Sequence, residues 1–260
     1  MSNLLERPSK SILGMRVDAT NYHEAGEQAL EWVYARRPAY VCVANVHMVM
    51  EAYDSVEFRD LVNRADMVTP DGMPLVCALR WLGASQAQRV YGPDLTTHLL
   101  SVAAERGLSV GFYGSTPAVL DKLVSQVQAK HPSLRVAYVY APPFRSMTAD
   151  EDQQIIRDIN ESGVQILFVG LGCPKQERWM AEHSDKVQAV MLGVGAAFDF
   201  LAGNKAQAPR WIMNASLEWA FRLATEPKRL WRRYLKQNPR FMVLLFLQLA
   251  GVARPTEDHI

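Results

Sequence analysis

The sequence predicts an α/β fold, a Rossmann-like, mostly parallel sheet with helices on both faces, followed by a helical C-terminal appendage. Between about residues 10 and 200, short apolar runs alternate with amphipathic stretches across short connections, which is typical of a parallel sheet covered on both sides. Apolar residues make up 49% of the 260 residues, enough for a sizeable core. Beyond Gly203 the pattern becomes helical and basic. We therefore expect an α/β domain over residues 1–203 and a basic, amphipathic, membrane-associating appendage over 204–260.

The expected elements follow from hydrophobic periodicity and from residues that start or stop helices. Asn21 and Glu24 resemble a capping box, Pro117 suits the first turn of a helix, and Pro227 should end one. Strands are predicted at residues 12–17, 40–44, 67–69, 109–113, 135–140, 164–169 and 189–192, with 89–91 short and extended. Helices are predicted at residues 21–36, 46–64 in two pieces, 72–82, 92–106, from 117 onward, 150–161, 175–183, 209–225 and 228–238.

Charge is distributed unevenly along a chain whose total is only +1, so bulk charge selects no partner and we expect no nucleic acid. Residues 205–240 carry nine basic and two acidic residues, a net +7 that leaves −6 on the remainder. This asymmetry favours an anionic ligand or surface for the C-terminal part. The apolar run that follows, residues 241–252, is shorter than the about 20 residues that span a bilayer. A basic helix leading into it suits the membrane interface, and the alternative is packing on the core or on a partner subunit.

Cysteine and histidine usage indicates the compartment and argues against a local metal site. The three cysteines are odd in number and far apart, which fits a reducing cytoplasm. The six histidines show no paired ligand spacing, and the polar residues 1–10 lack a signal-peptide core. Asp150 and Asp152 resemble the D-x-D of metal-dependent transferases, but their place at a helix start favours a capping role. We expect no metal and no cofactor.

One acid stands between a predicted strand and the next helix. Asp71 follows Pro70, where the strand stops, and precedes Gly72, where helical periodicity begins. This places Asp71 at the carboxyl edge of the sheet, where ligands bind in open α/β sheets. A carboxylate held there is a candidate general base. The alternative is an N-cap that only accepts backbone hydrogen bonds from the helix.

Glycines follow three of the predicted strands. Glycine lets backbone N–H groups approach an anion, and the helix that follows adds a partial positive charge. None of the three loops is a P-loop or a dinucleotide fingerprint, and each alone is weak, but together they favour a nucleotide-type ligand. The candidate residues at these strand ends and in the loops after them are Gly111, Tyr113, Gly114, Gly170, Gly172, Lys175, Gly193 and Gly195.

The motifs in combination resemble the WecG/TagA/CpsF glycosyltransferase family, from about residue 12 to 240. They are Asn45-Val46-His47, Ala65-Asp66 through Pro70-Asp71-Gly72, Arg89-Val90-Tyr91-Gly92, Gly111-Phe112-Tyr113-Gly114, Gly170-Leu171-Gly172, Pro174-Lys175-Gln176-Glu177, Gly193-Val194-Gly195, Phe198-Asp199, and Leu217-Glu218-Trp219 with the arginines after it. The resemblance implies an inverting, metal-independent enzyme that moves a sugar from a UDP-sugar to an undecaprenyl-diphosphate-linked sugar. Such enzymes act at the cytoplasmic face of the membrane in exopolysaccharide, teichoic acid or common antigen synthesis.

The resemblance also implies roles for individual residues. The catalytic base falls on Asp71, and the glycine loops would bind UDP. Supporting polar residues fall on Asn45, Arg89 and Gln176. Arginines that bind the lipid diphosphate fall on Arg222, Arg229 and Arg232. The family further suggests self-association and an appendage that touches the membrane.

Two positions depart from the family pattern, and two rival functions remain. Val43 stands where the family often has Thr, and Gln207 where it often has Arg, which suggests a different sugar specificity. One rival is an NAD(P)-linked oxidoreductase on the same type of sheet, although no acidic residue marks ribose recognition. The other is a non-catalytic, membrane-associated nucleotide-binding scaffold in which Asp71 only caps a helix.

Overall fold

The structure, a computed structural model, describes residues 8–214 and 217–252, with the backbone alone at positions 210, 214, 229 and 233. Its strands are β1 (Ser9–Ile12), β2 (Met15–Asp18), β3 (Ala39–Ala44), β4 (Met67–Pro70), β5 (Ser109–Gly114), β6 (Arg135–Tyr140), β7 (Ile166–Gly170) and β8 (Val190–Gly193). Its helices are α1 (Tyr22–Tyr34), α2 (Val46–Asp54), α3 (Val56–Asn63), α4 (Met73–Trp81), α5 (Gly92–Arg106), α6 (Pro117–Lys130), α7 (Ala149–Glu161), α8 (Lys175–Glu182), α9 (Ala197–Leu201), α10 (Arg210–Asn214), α11 (Glu218–Thr225) and α12 (Pro227–Leu249).

Six strands form one parallel sheet in the order β4-β3-β8-β7-β5-β6. Every residue of β3 is buried, because helices cover both of its faces, and its sequence accordingly reads as a continuous apolar run rather than an alternating one. One core lies under α1, α5, α6 and α9, and the other under α2, α3, α4, α7, α8 and α12. The predicted α/β fold is therefore confirmed.

The first strand of the sequence prediction is wrong, because residues 12–17 belong to a hairpin. β1 and β2 pair antiparallel through a two-residue turn, with Ile12 opposite Met15. Both turn residues have positive φ, 52° at Leu13 and 87° at Gly14, as a type I′ turn requires. Because a type I′ turn usually has Asn or Gly at the position of Leu13, the sequence pattern does not indicate this turn.

The C-terminal helices divide differently from the prediction. The expected helix over residues 209–225 is two helices, α10 and α11, and residues 215–216 between them lie outside the described part of the chain. The basic helix and the apolar run are one helix, α12, which begins at Pro227 and continues through Pro239. A proline inside a helix removes one hydrogen bond, so the surrounding contacts of α12 must stabilise it.

Those contacts join α12 to α2 and to the hairpin. Arg240 forms a two-pronged ion pair with Asp54 of α2, at 2.6 and 2.7 Å. Gln248 donates to the carbonyl of Ser11 at 2.7 Å and accepts from the N–H of Leu13 at 2.9 Å. Phe241 on the same helix is almost completely buried in the core. No helix within the described residues has the length and hydropathy needed to cross a membrane.

Candidate active site

Asn45 and Asp71 lie side by side where two adjacent parallel strands end. Strands β3 and β4 pair so that Ala44 faces Pro70, and the N–H of Asp71 donates to the carbonyl of Ala44 at 2.8 Å. The N–H of Val90 donates to the carbonyl of Pro70 at 2.9 Å, which brings the extended segment 89–91 to the same edge. The predicted placement of Asp71 at the carboxyl edge of the sheet is confirmed.

The carboxylate of Asp71 is not a helix cap. Helix α4 has Gly72 at its N-cap and no side-chain cap bond. Asn45 is the capping residue here, because its Oδ1 accepts from the N–H of Met48 in α2 at 3.3 Å. The alternative interpretation of Asp71 as an N-cap is therefore wrong, and its side chain is turned toward the guanidinium of Arg89.

Arg89 joins the strand edge to the C-terminal helices. Its Nη2 lies 3.5 Å from Oδ1 of Asp71, and its Nε donates to the main-chain carbonyl of the same residue. The same Nη2 also donates to a carboxylate oxygen of Glu218, from α11. The guanidinium stacks over the ring of Tyr91, with Cζ 4.4 Å from the ring centroid. One arginine thus holds two carboxylates that are far apart in sequence.

Burial raises the pKa of Asp71 from its ordinary value of 3.8 to about 6, against the lowering effect of Arg89. The negative charge of Glu218 raises this pKa and the positive charge of Arg222 lowers it. The side chain is only 17% exposed, so water compensates little of the cost of ionising it. A carboxylate with a pKa near 6 is ionised at neutral pH and basic enough to accept a proton, which suits a general base.

A cavity of about 290 Å³ opens above this acid, between the strand edge and the C-terminal helices. The part of its wall near Asp71 is ionic, and the part formed by α12 combines apolar side chains with the amides of Gln237 and Asn238. The polar lining residues include Asn45, His47, Asp71, Arg89, Glu218, Arg222, Gln237 and Asn238. The apolar lining residues include Val46, Met73, Trp219, Leu230, Phe241 and Met242. His47 Nδ1 lies 2.9 Å from Oε1 of Gln237, which ties α2 to α12 across the cavity wall.

Of the three candidate diphosphate-binding arginines, Arg222 and Arg232 lie in different parts of the structure. Arg222 lines the cavity, and its guanidinium lies over the ring of Phe200 at 5.9 Å. Arg232 is exposed on α12 and lies over Trp231 at 5.2 Å. The side chain of Arg229 lies outside what the structure describes. The structure therefore places Arg222, and not Arg232, in the wall of the cavity that Asp71 lines.

Gln176 is buried beneath the loop after β7 and does not line the cavity. Its Oε1 accepts from the N–H of Gly172 at 3.1 Å, and its Nε2 donates to Oε1 of Glu177 at 2.7 Å. Glu177 is fully buried, and burial raises its pKa from 4.5 to about 7. In this structure Gln176 fixes the loop, and its predicted catalytic contact with substrate stays a prediction.

Four of the candidate glycines are explained by close packing. A Cβ on Gly114 would lie 2.6 Å from the main chain of Gly170, and one on Gly170 would lie 2.6 Å from the ring of Phe198. Cβ atoms on Gly111 and Gly193 would likewise come within 2.9 Å of neighbouring side chains. Gly172 and Gly195 have positive φ at 79° and 52° and adjoin Gln176. The predicted role of these loops in nucleotide binding remains a prediction.

Tyr113 and Lys175 have very different surroundings. The ring of Tyr113 is completely buried and stacks against Trp179 at 4.3 Å and Tyr140 at 6.1 Å. Any contact of Tyr113 with a nucleotide would therefore be made by its main chain. Lys175 is exposed at the first turn of α8, on the same edge of the sheet as Asp71.

Asp150 and Asp152 lie in the first turn of α7, as predicted, but neither of them supplies the capping bond. Thr148 and Glu151 form the capping box, so the capping carboxylate is neither Asp150 nor Asp152. Asp152 instead lies 3.0 Å from Nε2 of the buried His183. Within the described residues, no cluster of three or more histidine, cysteine or acidic side chains is arranged to hold a metal ion.

Sequence reasoning missed the roles of Glu218, Glu177 and His47. Each lies inside a motif quoted above. The partners of Glu218 and His47 are distant in sequence, so no local spacing reveals those contacts. Glu177 is bonded to the adjacent Gln176, and its complete burial is what the sequence does not reveal. Of the two departures from the family pattern, Val43 is buried beside Gly92 at the end of β3, and Gln207 is exposed.

Comparison with known proteins agrees with the motifs. The model of the WecG/TagA/CpsF glycosyl transferase family matches residues 10–255. A Bacillus spizizenii protein named N-acetylglucosaminyldiphosphoundecaprenol N-acetyl-beta-D-mannosaminyltransferase is 29% identical over 218 residues, which cover 84% of this chain and 82% of the relative. Proteins of the same name from Staphylococcus aureus (28% over 235 residues, 89% of both chains) and Bacillus subtilis (26% over 226 residues, 85% and 86%) also match. This chain therefore belongs to the WecG/TagA/CpsF family of glycosyl transferases.

Proposed function

We propose that this glycosyl transferase moves a sugar from a UDP-sugar to a sugar carried on a polyprenyl diphosphate, in the synthesis of a bacterial cell-surface polysaccharide. The names of the relatives give undecaprenyl-diphosphate-linked N-acetylglucosamine as their acceptor and N-acetylmannosamine as the transferred sugar. The observation that carries the proposal is Asp71 at the ionic end of a cavity whose α12 wall adds the apolar side chains of Leu230, Phe241 and Met242. A lipid-linked acceptor has the same order of parts, with a sugar hydroxyl, then a diphosphate, then a hydrocarbon chain.

The geometry supports a single displacement. The acceptor oxygen attacks the anomeric carbon of the donor from the side opposite UDP, and the carboxylate of Asp71 takes the proton from that hydroxyl. The bond from the anomeric carbon to the UDP oxygen breaks, UDP leaves with the bonding electrons, and the configuration inverts. The negative charge that develops on the leaving diphosphate needs nearby cations, and Arg89 and Arg222 supply them from two sides of the cavity.

The donor is best accommodated along the same strand edge. The ends of β8, β7 and β5 follow β3 in the sheet, and the glycine-containing loops there precede helices α9, α8 and α6. Main-chain N–H groups at such loops suit a nucleotide diphosphate. We propose that UDP occupies these loops, with its sugar pointing toward Asp71.

The catalytic assignment is tested with Asp71→Asn, measured as UDP release from a panel of UDP-sugars with an N-acetylglucosaminyl-diphospholipid acceptor. We expect a loss of roughly 10²-fold or more in kcat, because the amide cannot take up the proton. Asp60→Asn makes the same chemical change on an exposed position of α3 and should leave turnover unchanged. Near-normal turnover of a folded Asp71→Asn protein would remove Asp71 from the mechanism. Release of UDP from a UDP-sugar by the wild type separates this proposal from a nucleotide-binding scaffold, which would bind a nucleotide without turnover, and nicotinamide binding would favour an oxidoreductase.

We also propose that residues 204–260 form the appendage that brings the enzyme to the inner face of the cell membrane. Five exposed apolar residues recur along α12 at intervals of four, seven, four and three, which places them on one helical face: Trp231, Leu235, Met242, Phe246 and Leu249. The exposed basic side chains of Arg232 and Lys236 lie beside that face. An apolar stripe with cationic neighbours suits a helix lying in the membrane interface.

Sedimentation with anionic vesicles tests this role of α12. We expect wild-type protein to pellet at low salt and to be released as salt rises, since screening weakens the basic contribution. The double variant Leu235→Glu with Phe246→Glu should stay in the supernatant. Phe144→Glu alters an aromatic residue that is even more exposed and is far from α12 in sequence, and it serves as the control. Unchanged pelleting of the double variant would contradict the proposal.

A further inference from the structure

The guanidinium of Arg89 is shared between two carboxylates from different parts of the chain. Asp71 comes from the end of β4 and Glu218 from α11, and Arg89 and Glu218 are 129 positions apart. Arg89 Nη2 makes its shorter contact with Glu218, whereas its distance to Oδ1 of Asp71 is 3.5 Å. Glu218 is itself buried, at 8% exposed, so this contact is built into the packed interior rather than made at the surface.

Because Arg89 pairs more closely with Glu218 than with Asp71, it holds the carboxylate of Asp71 only weakly. A charge-assisted arginine–carboxylate contact ordinarily closes to about 2.7–2.9 Å. At 3.5 Å the side chain of Asp71 is only loosely paired. The stacking of the guanidinium on Tyr91 and its bond to the main-chain carbonyl of Asp71 fix its plane, so Glu218 selects the direction in which Nη2 donates.

Among the described side chains, several charged or titratable groups bear on the basicity of Asp71. Arg89 and Tyr91 face it from the segment before α5, Glu218 and Arg222 from α11, and Tyr22 from α1, while His47 lines the same cavity from α2. The N–H of Gly92 also donates to the carboxylate and lowers its pKa. The two arginines lower the pKa of Asp71, and the negative charge of Glu218 raises it. Without Glu218, Arg89 would be available to close on Asp71 and to stabilise its ionised form.

We infer that Glu218 is a positioning residue that takes up Arg89 when α11 is docked and thereby leaves Asp71 free to act as the base. The inference rests on the proposed role of Asp71. Proton abstraction would then depend on the C-terminal helices, because Asp71 lies at the end of β4 and Glu218, which keeps Arg89 from closing on it, lies on α11. A protein whose α11 is displaced would hold Asp71 in an ion pair with Arg89 and react slowly.

The test is the dependence of kcat/KM on pH for Glu218→Gln in the full chain with the lipid-linked acceptor. Glutamine still offers Arg89 an oxygen but carries no charge. We expect the acid limb to move to lower pH by about half a unit or more, and kcat on the plateau to fall several-fold, because a weaker base transfers the proton less well. Glu218→Asp retains the charge and should keep the acid limb near its wild-type position.

Two further variants make the result decisive. Glu226→Gln removes an acid that pairs with Lys205, at the start of α12, and should leave the acid limb in place. Arg222→Gln removes a cation from α11 and should move the limb to higher pH, even where its turnover is low. A folded Glu218→Gln protein with an unmoved acid limb overturns the inference. If Glu218→Gln does not fold, an Arg222→Gln protein whose acid limb is not shifted overturns the inference. If Asp71→Asn is inactive in that case, the proposed function stands, and if Asp71→Asn is active, both fall.

Discussion

Asp71→Asn should stabilise the protein at alkaline pH while it lowers kcat by roughly 10²-fold or more. The folded state raises the pKa of Asp71 from 3.8 to about 6, chiefly through burial. Below the pKa of the unfolded state, such an acid is protonated in both states and its burial does not lower the free energy of unfolding. As the pH rises from there through the pKa of the folded state, the cost of ionising the buried group lowers the free energy of unfolding. Wild-type stability should therefore fall between about pH 4 and pH 6 from this group, and asparagine should remove the fall.

The size of the effect follows from the shift of about two pKa units. One unit corresponds to about 1.4 kcal/mol, so ionised Asp71 costs the folded state up to roughly 3 kcal/mol at pH 8. The low exposure of the side chain, 17%, leaves little screening by water. For a chain of this size each kcal/mol moves the melting temperature by roughly 2–4 °C. Asp71→Asn should thus melt several degrees above the wild type at pH 8.

The assay is denaturant unfolding of both proteins at about pH 4.5 and pH 8. The difference in the free energy of unfolding should be small at the lower pH and should favour the variant at the higher pH. Asp60→Asn controls for the loss of one surface charge and should show no such pH dependence. A difference that is the same at both pH values, or that favours the wild type at pH 8, would mean that burial does not raise the pKa of Asp71.

Three more changes test the packing around the site. Phe241→Ala should lower the free energy of unfolding by about 3–5 kcal/mol in denaturant titrations, because it empties a buried site beneath α12; a loss below about 1 kcal/mol would argue that α12 is not docked. Gly170→Ala should cost roughly 1–3 kcal/mol in the same assay, since its Cβ would lie 2.6 Å from the ring of Phe198, and an unchanged midpoint would contradict that contact. Glu177→Gln should gain stability relative to wild type as pH rises through about 7, because burial raises the pKa of this acid; pH-independent unfolding differences would refute it.

The sheet can be predicted from the sequence because each strand is indicated by a local pattern of residues. A fully apolar run such as β3 indicates a strand buried on both faces, and Pro70 marks where β4 stops, so the edge position of Asp71 follows without knowledge of the fold. The hairpin was missed because Leu13 occupies a left-handed position that leucine rarely adopts. The continuity of α12 was missed because Pro239 resembles a helix break, and the contacts that override it are tertiary.

The candidate site was predictable only in part for the same reason. Asp71, Asn45 and Arg89 follow from strand ends and motifs. The ion pair between Arg89 and Glu218 depends on the path of α11 over the sheet edge, which no local pattern records. The near-neutral pKa of Asp71 depends on burial by elements that are distant in the chain. Burial of that kind cannot be inferred from the sequence alone.

The bonds between Gln248 and the hairpin can form only late in synthesis, because the two partners are made at widely separated times. Leu13 and Gln248 are 235 positions apart, and at about 5–20 residues per second a ribosome adds that length on the order of 10 to 50 s after the hairpin is made. Ile12 lies in the same core as Phe241 and Leu245, so this part of the core can be filled only after residue 245 has been added. The apolar stripe of α12 therefore takes its place on a sheet whose edge at Asp71 was synthesised long before.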